Sequence, residues 1–169
     1  RMPDDLKYVA VIESALRPHA GSRKGAIGFW QFMPDTARRY GLVVDTRRDE
    51  RRDVFDSTRA ALFYFRDLFE RFGSWTLAAT AYNLGEARLE AEMAEQQVDD
   101  YYDLYLPLET QRYVLRVVSA KLILSDPERY GFFLPPESLY PPLAFERFQV
   151  ECPQETPIRL VAAAADTTF

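Results

Sequence analysis

The sequence predicts an all-α domain, and three observations support that fold class. Ala, Leu, Glu and Arg, which are good helix formers, are abundant in the middle of the chain. Apolar residues recur there at the three- and four-residue spacing of amphipathic helices. Glycine is sparse among the 169 residues, and prolines crowd toward the C-terminal end. We therefore expect a helical domain followed by a proline-rich C-terminal arm.

The first helix is expected to begin at residues 3–5, because a proline followed by two acidic residues suits a helix N-terminus. Pro18 should end the segment soon afterwards. A loop with three glycines follows, from Arg17 to Phe29. The buried stripe predicted for this helix consists of Leu6, Val9, Ala10, Glu13 and Leu16.

Five further helices are indicated by apolar spacing and by capping residues. They are expected at residues 34–40, 57–72, 74–83, 86–97 and 108–124. Asp56 or Ser57 is a plausible N-cap for the second of these, and Gly73 should stop it. Two stripes are expected to face the core: Ala61, Tyr64, Leu68 and Phe72, and Tyr113, Val117, Ala120 and Leu124.

The composition changes after Gly131, where paired prolines punctuate the chain. Residues 145–150 alternate between two faces, which predicts either one strand or an extended arm over the helices. A last short helix can begin after Pro157. We expect residues 1–133 to form the catalytic domain and residues 134–169 a C-terminal extension or linker.

Charge and residue counts exclude several functions. A formal net charge of −5 argues against a broad electrostatic grip on nucleic acid. The single cysteine, Cys152, forms no internal disulfide, and the single histidine, His19, leaves no zinc cluster or His-based triad. No apolar run is long enough for a membrane span, and no signal peptide is visible. Because the chain opens on Arg1, we expect it to be part of a longer protein, so membrane association would come only through parts outside it.

Glu13 is the one acidic residue on the buried stripe predicted for the first helix. A carboxylate on the buried stripe of a helix loses hydration, which raises its pKa. Its position in the last turn adds the unfavourable end of the helix dipole. Both effects favour a carboxylic acid that keeps its proton and donates it to a leaving oxygen. The alternative, which periodicity alone favours, is an ordinary helix glutamate at the edge of the stripe or paired with Arg17 or Lys7.

Four ordered motifs go beyond this helical pattern. They are Ile-Glu-Ser-Ala at residues 12–15, Gly-Ala-Ile-Gly-Phe-Trp-Gln-Phe-Met-Pro at 25–34, Ala-Tyr-Asn-Leu-Gly at 81–85, and Pro-Leu-Glu-Thr-Gln-Arg-Tyr-Val at 107–114. Together with Pro18, His19, Ala20 and Ser22 they resemble the soluble-type lytic transglycosylases, most closely the membrane-bound lytic transglycosylase D branch. The resemblance extends over about residues 3–133, and four blocks in order are far more specific than one short motif.

The resemblance implies a goose-lysozyme-like helical domain with a glycan-binding cleft. Glu13 matches the family's catalytic glutamate. Residues that match substrate-binding positions are Ser22, Gln31, Met33, Tyr82, Asn83 and Glu109. Tyr82 and Met33 could instead be plain core residues, which is the commoner role of such side chains.

The implied reaction needs one carboxyl group and neither a metal nor an organic cofactor. Glu13 would protonate the bridging oxygen of the MurNAc–GlcNAc bond and then deprotonate the C6 hydroxyl of the same MurNAc, giving a 1,6-anhydro end. The implied partner is a peptidoglycan strand in the periplasm, with the full-length protein anchored to the outer membrane as an option, and we expect a monomer. The alternatives are a goose-type muramidase, with Asp45, Asp49, Asp53 or Glu109 as its second acid, and a non-catalytic peptidoglycan-binding module.

Overall fold

The computed structural model describes residues 1–142, 149–151 and 155–166, and within these residues the fold is helical. The only β pairing among them consists of isolated antiparallel bridges, Gly21 with Ile27, Ile27 with Phe32, and Val44 with Asp49. The predicted all-α fold class is confirmed. The α-helices are α1 (Lys7–Ser14), α2 (Pro34–Arg39), α3 (Val54–Phe72), α4 (Trp75–Leu84), α5 (Glu86–Gln96), α6 (Leu108–Ser125) and α7 (Ile158–Ala164).

Two compact units divide the chain, Arg1–Phe133 and Leu134–Phe169. The first contains α1 to α6, and the second contains a short 3-10 turn, Pro136–Ser138, and α7. The alternating segment that predicted a strand or arm lies mostly at residues 143–148, outside the described residues, as does Cys152. Among the helices that are described, none is both long and apolar enough to span a bilayer. The assignment of the first unit as the catalytic domain stays a prediction.

The hydrophobic core of the first unit surrounds α4, which packs against α3, α5 and α6, while α1 packs on α6. Its fully buried side chains include Val9, Phe65, Leu68, Leu77 and Leu89. The stripe predicted on α3 faces this core, since Ala61, Tyr64 and Leu68 are buried and Phe72 packs against them. The packing of α1 on α6 brings the C-terminal end of α1 beside the first turns of α6.

Three details of the helix predictions are wrong. The side chain of Leu16 is 55% exposed, because α1 ends at Ser14 and the next two residues take the left-handed conformation. The N-cap of α3 is Asp53, whose carboxylate accepts hydrogen bonds from two backbone N–H groups of the first turn. The side chain of Leu124 is 55% exposed, because the core covers only the first half of α6.

Candidate active site

Glu13 lies in the last turn of α1, at the wall of a cavity of about 560 Å³. The helix stops one residue later, where Ser14 donates hydrogen bonds to the carbonyl oxygens of Ala10 (3.0 Å) and Phe29 (2.8 Å). The second bond joins the end of α1 to the glycine-containing loop. The residues that line the cavity are Glu13, Arg17, Pro18, His19, Ala20, Gly21 and Gln31.

The Glu13 carboxyl forms its hydrogen bond with a tyrosine of α6. Tyr113 donates its hydroxyl proton to Oε1 of Glu13 over 2.5 Å. Lys7 instead pairs with Asp4, and Nε of Arg17 donates to the carbonyl oxygen of Ser14. The alternative that Glu13 is an ordinary ion-paired surface glutamate is therefore wrong.

The pKa of Glu13 is raised above its ordinary value. Burial is the largest cause, because it removes water from the charged form. The hydrogen bond from Tyr113 opposes burial by stabilising the carboxylate, and the nearby charge of Glu109 raises the pKa further. The buried stripe predicted a raised pKa caused by loss of hydration, and both the direction and the main cause agree. A group in this condition keeps its proton at a higher pH than a solvated glutamate does.

Gln31 lies across the cavity from α1 in a strained backbone conformation. Its φ angle is 49°, a left-handed backbone conformation that few residues other than glycine adopt. Its amide nitrogen donates to the carbonyl oxygens of Ala20 (3.0 Å) and Gly28 (2.9 Å). Strain of this kind persists when surrounding contacts hold it, and it is common at functional sites.

The buried side chain of Arg51 binds backbone carbonyl oxygens of the same loop. The Arg51 side chain is 4% exposed, and its Nη1 donates to the carbonyl oxygens of Gly25 (2.9 Å) and Phe32 (3.0 Å). Its Nε and Nη2 donate to the Asp49 carboxylate, and that contact lowers the pKa of Asp49. Arg51 lies in a charged stretch from Asp45 to Asp53, and nothing in the local sequence distinguishes it from its arginine neighbours.

Tyr82, on α4, belongs to a cluster of packed aromatic rings that includes Phe32, Tyr64 and Phe65. Its ring stacks on Phe65, with centroids 4.5 Å apart, and its hydroxyl donates to the carbonyl oxygen of Trp30 over 2.7 Å. Burial raises the pKa of the Tyr82 hydroxyl, and the neighbouring charge of Glu13 adds to the rise. The resemblance placed Tyr82 beside the acid, and the electrostatic coupling agrees, but the hydrogen bond to the acid comes from Tyr113.

Asn83 and Glu109 lie where α4 meets the start of α6. Thr110 donates its hydroxyl proton to Oδ1 of Asn83 over 3.1 Å, which joins the two helices. Glu109 lies in the first turn of α6 and is exposed. Its influence on the pKa of Glu13 indicates that both carboxyl groups share one electrostatic environment.

The two remaining substrate-binding candidates have surface positions. Ser22 is exposed, and its hydroxyl oxygen accepts a hydrogen bond from the backbone N–H of Ala26. Met33 immediately precedes α2 and is 42% exposed, so it is not a core residue. The structure brings Gln31 to the same cavity as Glu13 and places Tyr82 and Glu109 within electrostatic range, while the roles of all six candidates stay predictions.

Tyr113 is the site residue that sequence reasoning assigned to the core and no further. It lies in the fourth motif, at residues 107–114, and it is buried as predicted. Its place inside a motif, in addition to the apolar stripe, was the one signal that could have indicated a role in the site. Its partner lies 100 residues earlier in the chain, so no local pattern could reveal the contact.

Comparisons with known proteins agree with the family that the motifs indicate, and the family match contains the first three motifs. The family described as "Transglycosylase SLT domain" matches residues 2–104. Membrane-bound lytic murein transglycosylase D of Escherichia coli (strain K12) is 41% identical over 139 residues, which are 79% of this chain and 31% of that protein. Peptidoglycan transglycosylase gp16 of Escherichia phage T7 is 40% identical over 88 residues, 51% of this chain and 7% of that protein. The chain thus spans less than a third of either relative.

A similarity in structure supports the fold. The crystal structure of the 70 kDa soluble lytic transglycosylase from Escherichia coli has a TM-score of 0.57 with this chain at 21% identity, covering 71% of this chain and 21% of that one. Identity this low shows a shared fold only. Because the family match covers more than half of the residues and a relative is 41% identical along 79% of the chain, this chain belongs to the transglycosylase SLT domain family.

Proposed function

We propose that this chain is the catalytic domain of a peptidoglycan lytic transglycosylase. It cleaves the β-1,4 bond between MurNAc and GlcNAc and leaves a 1,6-anhydro-MurNAc end. The environment of the Glu13 carboxyl carries the proposal. This group lines a cavity, its pKa is raised mainly by burial, and Tyr113 holds it by a hydrogen bond. A proton donor in that condition suits cleavage of a glycosidic bond near neutral pH.

The reaction uses Glu13 twice. The protonated carboxyl first donates its proton to the bridging oxygen, and the bond between that oxygen and C1 of MurNAc breaks. The 2-acetamido group of the sugar stabilises the oxocarbenium-like C1. The Glu13 carboxylate then removes the proton from the C6 hydroxyl of the same sugar, whose oxygen bonds to C1. Because the nucleophile is already part of the substrate, proximity replaces the second carboxylate of an ordinary glycosidase.

The fates of the other acidic residues favour this reaction over hydrolysis. Asp45 accepts hydrogen bonds from the N–H groups of Arg47 and Arg48, and it stabilises a turn. Asp49 binds the buried guanidinium of Arg51, and Asp53 caps α3. Three of the four acids offered for a muramidase therefore have structural partners, and Glu109 remains. A non-catalytic binding module would tolerate loss of the acid, whereas this sequence keeps Glu13 with all four motifs around it.

The remaining substrate-binding assignments belong to the same proposal. Gln31 and Tyr82 would position the acid and the sugar, and Ser22, Met33, Asn83 and Glu109 would line the glycan path. The relative named membrane-bound lytic murein transglycosylase D supports a location in the bacterial envelope. We propose the periplasm for this domain and a monomer as its working state.

Mass spectrometry of the products tests the reaction. Purified peptidoglycan digested by this chain should yield muropeptides with 1,6-anhydro ends, each lighter than its hydrolysed counterpart by one water. In heavy-oxygen water the new ends should contain no label, because no water is consumed. Labelled, hydrated reducing ends would make the chain a muramidase instead.

The hydrogen bond from Tyr113 predicts a pH effect. Its hydroxyl stabilises the Glu13 carboxylate and so lowers the pKa, against the larger effect of burial. Tyr113→Phe should therefore raise the pKa of Glu13 further and move the alkaline limb of the kcat profile to higher pH, while kcat at the optimum falls as the carboxyl loses its anchor. The pH profile of muropeptide release measures both. An unchanged alkaline limb would show that this bond does not tune the acid.

As a control for that experiment, Tyr101→Phe removes a hydroxyl that donates only to the carbonyl oxygen of Gln111 on the same helix as Tyr113. Its pH profile should match that of the wild type. A shift of equal size in both variants would indicate a general loosening of α6 rather than loss of the bond to Glu13.

A further inference from the structure

The cavity that contains the Glu13 carboxyl also has basic residues in its wall. Arg17 and His19 line the cavity together with Glu13. Nη1 of Arg52 lies 3.2 Å from Nδ1 of His19, and because a guanidinium only donates, the imidazole accepts this bond. We call Arg17, His19 and Arg52 the basic rim. Arg23 and Lys24 add two exposed cations on the same loop.

Neither guanidinium of the basic rim forms a salt bridge within the described part of the chain, although the charge of Arg52 contributes to the lowered pKa of Asp49. The Arg17 side chain donates one hydrogen bond, to the carbonyl oxygen of Ser14, and the Arg52 guanidinium donates to His19. Several arginines elsewhere, among them Arg39, Arg51, Arg59 and Arg71, pair with Asp or Glu. The guanidiniums of Arg17 and Arg52 are not used in this way, so they are available to an anion bound beside Glu13.

The acid in the cavity does not neutralise the rim. Glu13 is the only acidic residue among the described residues that line the cavity. Burial raises its pKa, so it carries less negative charge than a solvated glutamate, and its hydrogen bond goes to Tyr113. The cavity therefore holds one half-buried carboxyl, which Tyr113 engages, together with the cationic side chain of Arg17.

We propose that the basic rim binds a carboxylate of the substrate, and that it makes the enzyme selective for anionic glycan strands. This inference rests on the proposed function, since it concerns the strand that Glu13 cleaves. Each MurNAc carries a lactyl branch that ends either in a carboxylate or in a stem peptide with its own carboxylates. A guanidinium pairs with a carboxylate through charge-assisted hydrogen bonds, which are stronger than neutral ones. The rim thus recognises the branch beside the scissile bond.

Chemically matched substrates test the proposal. Soluble uncross-linked strands would be compared with the same strands after carbodiimide amidation with methylamine, which neutralises every carboxylate and keeps the glycan. Arg17→Gln combined with Arg52→Gln should lower kcat/KM about tenfold on the anionic strands, mainly through KM. On amidated strands the variant and the wild type should be equal. A third arm with amidase-treated strands, which carry only lactyl carboxylates, tells which carboxylate is bound: dependence on the rim persists there for the lactyl group and disappears for the stem peptide.

Matched variants separate this effect from general electrostatics. Arg88→Gln removes the same charge from α5, away from the cavity lining, and should leave kcat/KM on both strands within twofold. Arg17→Lys, made with Arg52 unchanged, keeps a cation at this position. Its kcat/KM on anionic strands should therefore fall much less than that of Arg17→Gln. The pH profile of kcat should not move, because the rim acts on the substrate rather than on Glu13.

Results with the variants can overturn the basic rim as a carboxylate site. They are an equal loss on amidated strands, an equal loss for Arg88→Gln, and no loss for the double variant. These results are distinct from failure of the proposed function, which would appear as a wild-type chain that cleaves neither strand or releases only hydrated ends. A wild type that forms 1,6-anhydro ends equally fast from both strands rejects the rim alone.

Discussion

Replacing Glu13 by Gln is expected to slow cleavage of purified peptidoglycan by roughly a hundredfold to ten-thousandfold, the usual contribution of a general acid–base group. The amide keeps the shape of the side chain, and its oxygen can still accept the hydrogen bond from Tyr113. What it lacks is the proton that the bridging oxygen needs. Release of 1,6-anhydro muropeptides per unit time measures the loss. If Glu13→Gln digests at the wild-type rate, Glu13 is not the acid.

The same variant should not be less stable than the wild type at neutral pH. Because folding raises the pKa of Glu13 above its ordinary value of 4.5, ionisation of this carboxyl costs the folded state free energy. That cost is absent below the ordinary pKa and complete above the raised one. Urea unfolding of both proteins at pH 4 and pH 8 should therefore show Glu13→Gln gaining relative stability as pH rises. Relative stability that falls with pH would contradict the sign of the shift.

Glu109→Gln is the matched control for the loss of activity. It removes a carboxylate from the same electrostatic environment without removing the buried acid. It should slow cleavage or weaken substrate binding without abolishing the reaction. Since Glu109 raises the pKa of Glu13, this variant should also move the alkaline limb of the pH profile slightly lower. A loss as large as that of Glu13→Gln would give Glu109 the role of a second catalytic group.

Gly28→Ala is expected to lower the free energy of unfolding by more than ~3 kcal/mol, at the upper end of what single substitutions cost. A Cβ at this position would lie 1.8 Å from the carbonyl oxygen of Arg51, and the φ angle of 86° is unfavourable for any side chain. The obstacle is backbone, which cannot move without disturbing the Arg51 bonds to Gly25 and Phe32. Urea or thermal unfolding followed by circular dichroism measures the effect.

Gly25→Ala provides a control in the same loop. Its φ angle of 92° is nearly the same, but a Cβ there meets no atom within 4 Å. Its cost should be that of the left-handed conformation alone, about 1–2 kcal/mol. The difference between the two variants isolates the close approach of Gly28 to Arg51. Equal costs would show that the loop moves aside and that Arg51 does not hold it rigidly.

Local sequence signals predicted the helices and the burial of Glu13, whereas its proposed catalytic role came from the four motifs. The apolar spacing and the caps around Ser74 and Gly73 are interactions between residues a few positions apart, so they can be read in chain order. The same applies to Glu13, because its place on the stripe with Val9 and Ala10 implies burial before any tertiary contact is known. The four motifs added the fold family and the substrate, which periodicity does not contain.

The contacts that complete the site are all between distant segments. Tyr113 bonds Glu13 across 100 residues, and Arg51 reaches back to the carbonyl oxygens of Gly25 and Phe32. Leu16 left the predicted stripe because Ser14 bonds the carbonyl oxygen of Phe29, as part of the contact that ends α1 against the loop. Such choices depend on which elements pack together and on which buried polar groups must then find partners. The sequence pattern predicts that a residue is buried, because burial follows from its place on a helix face. Its hydrogen-bond partner depends on which distant segments pack against that face.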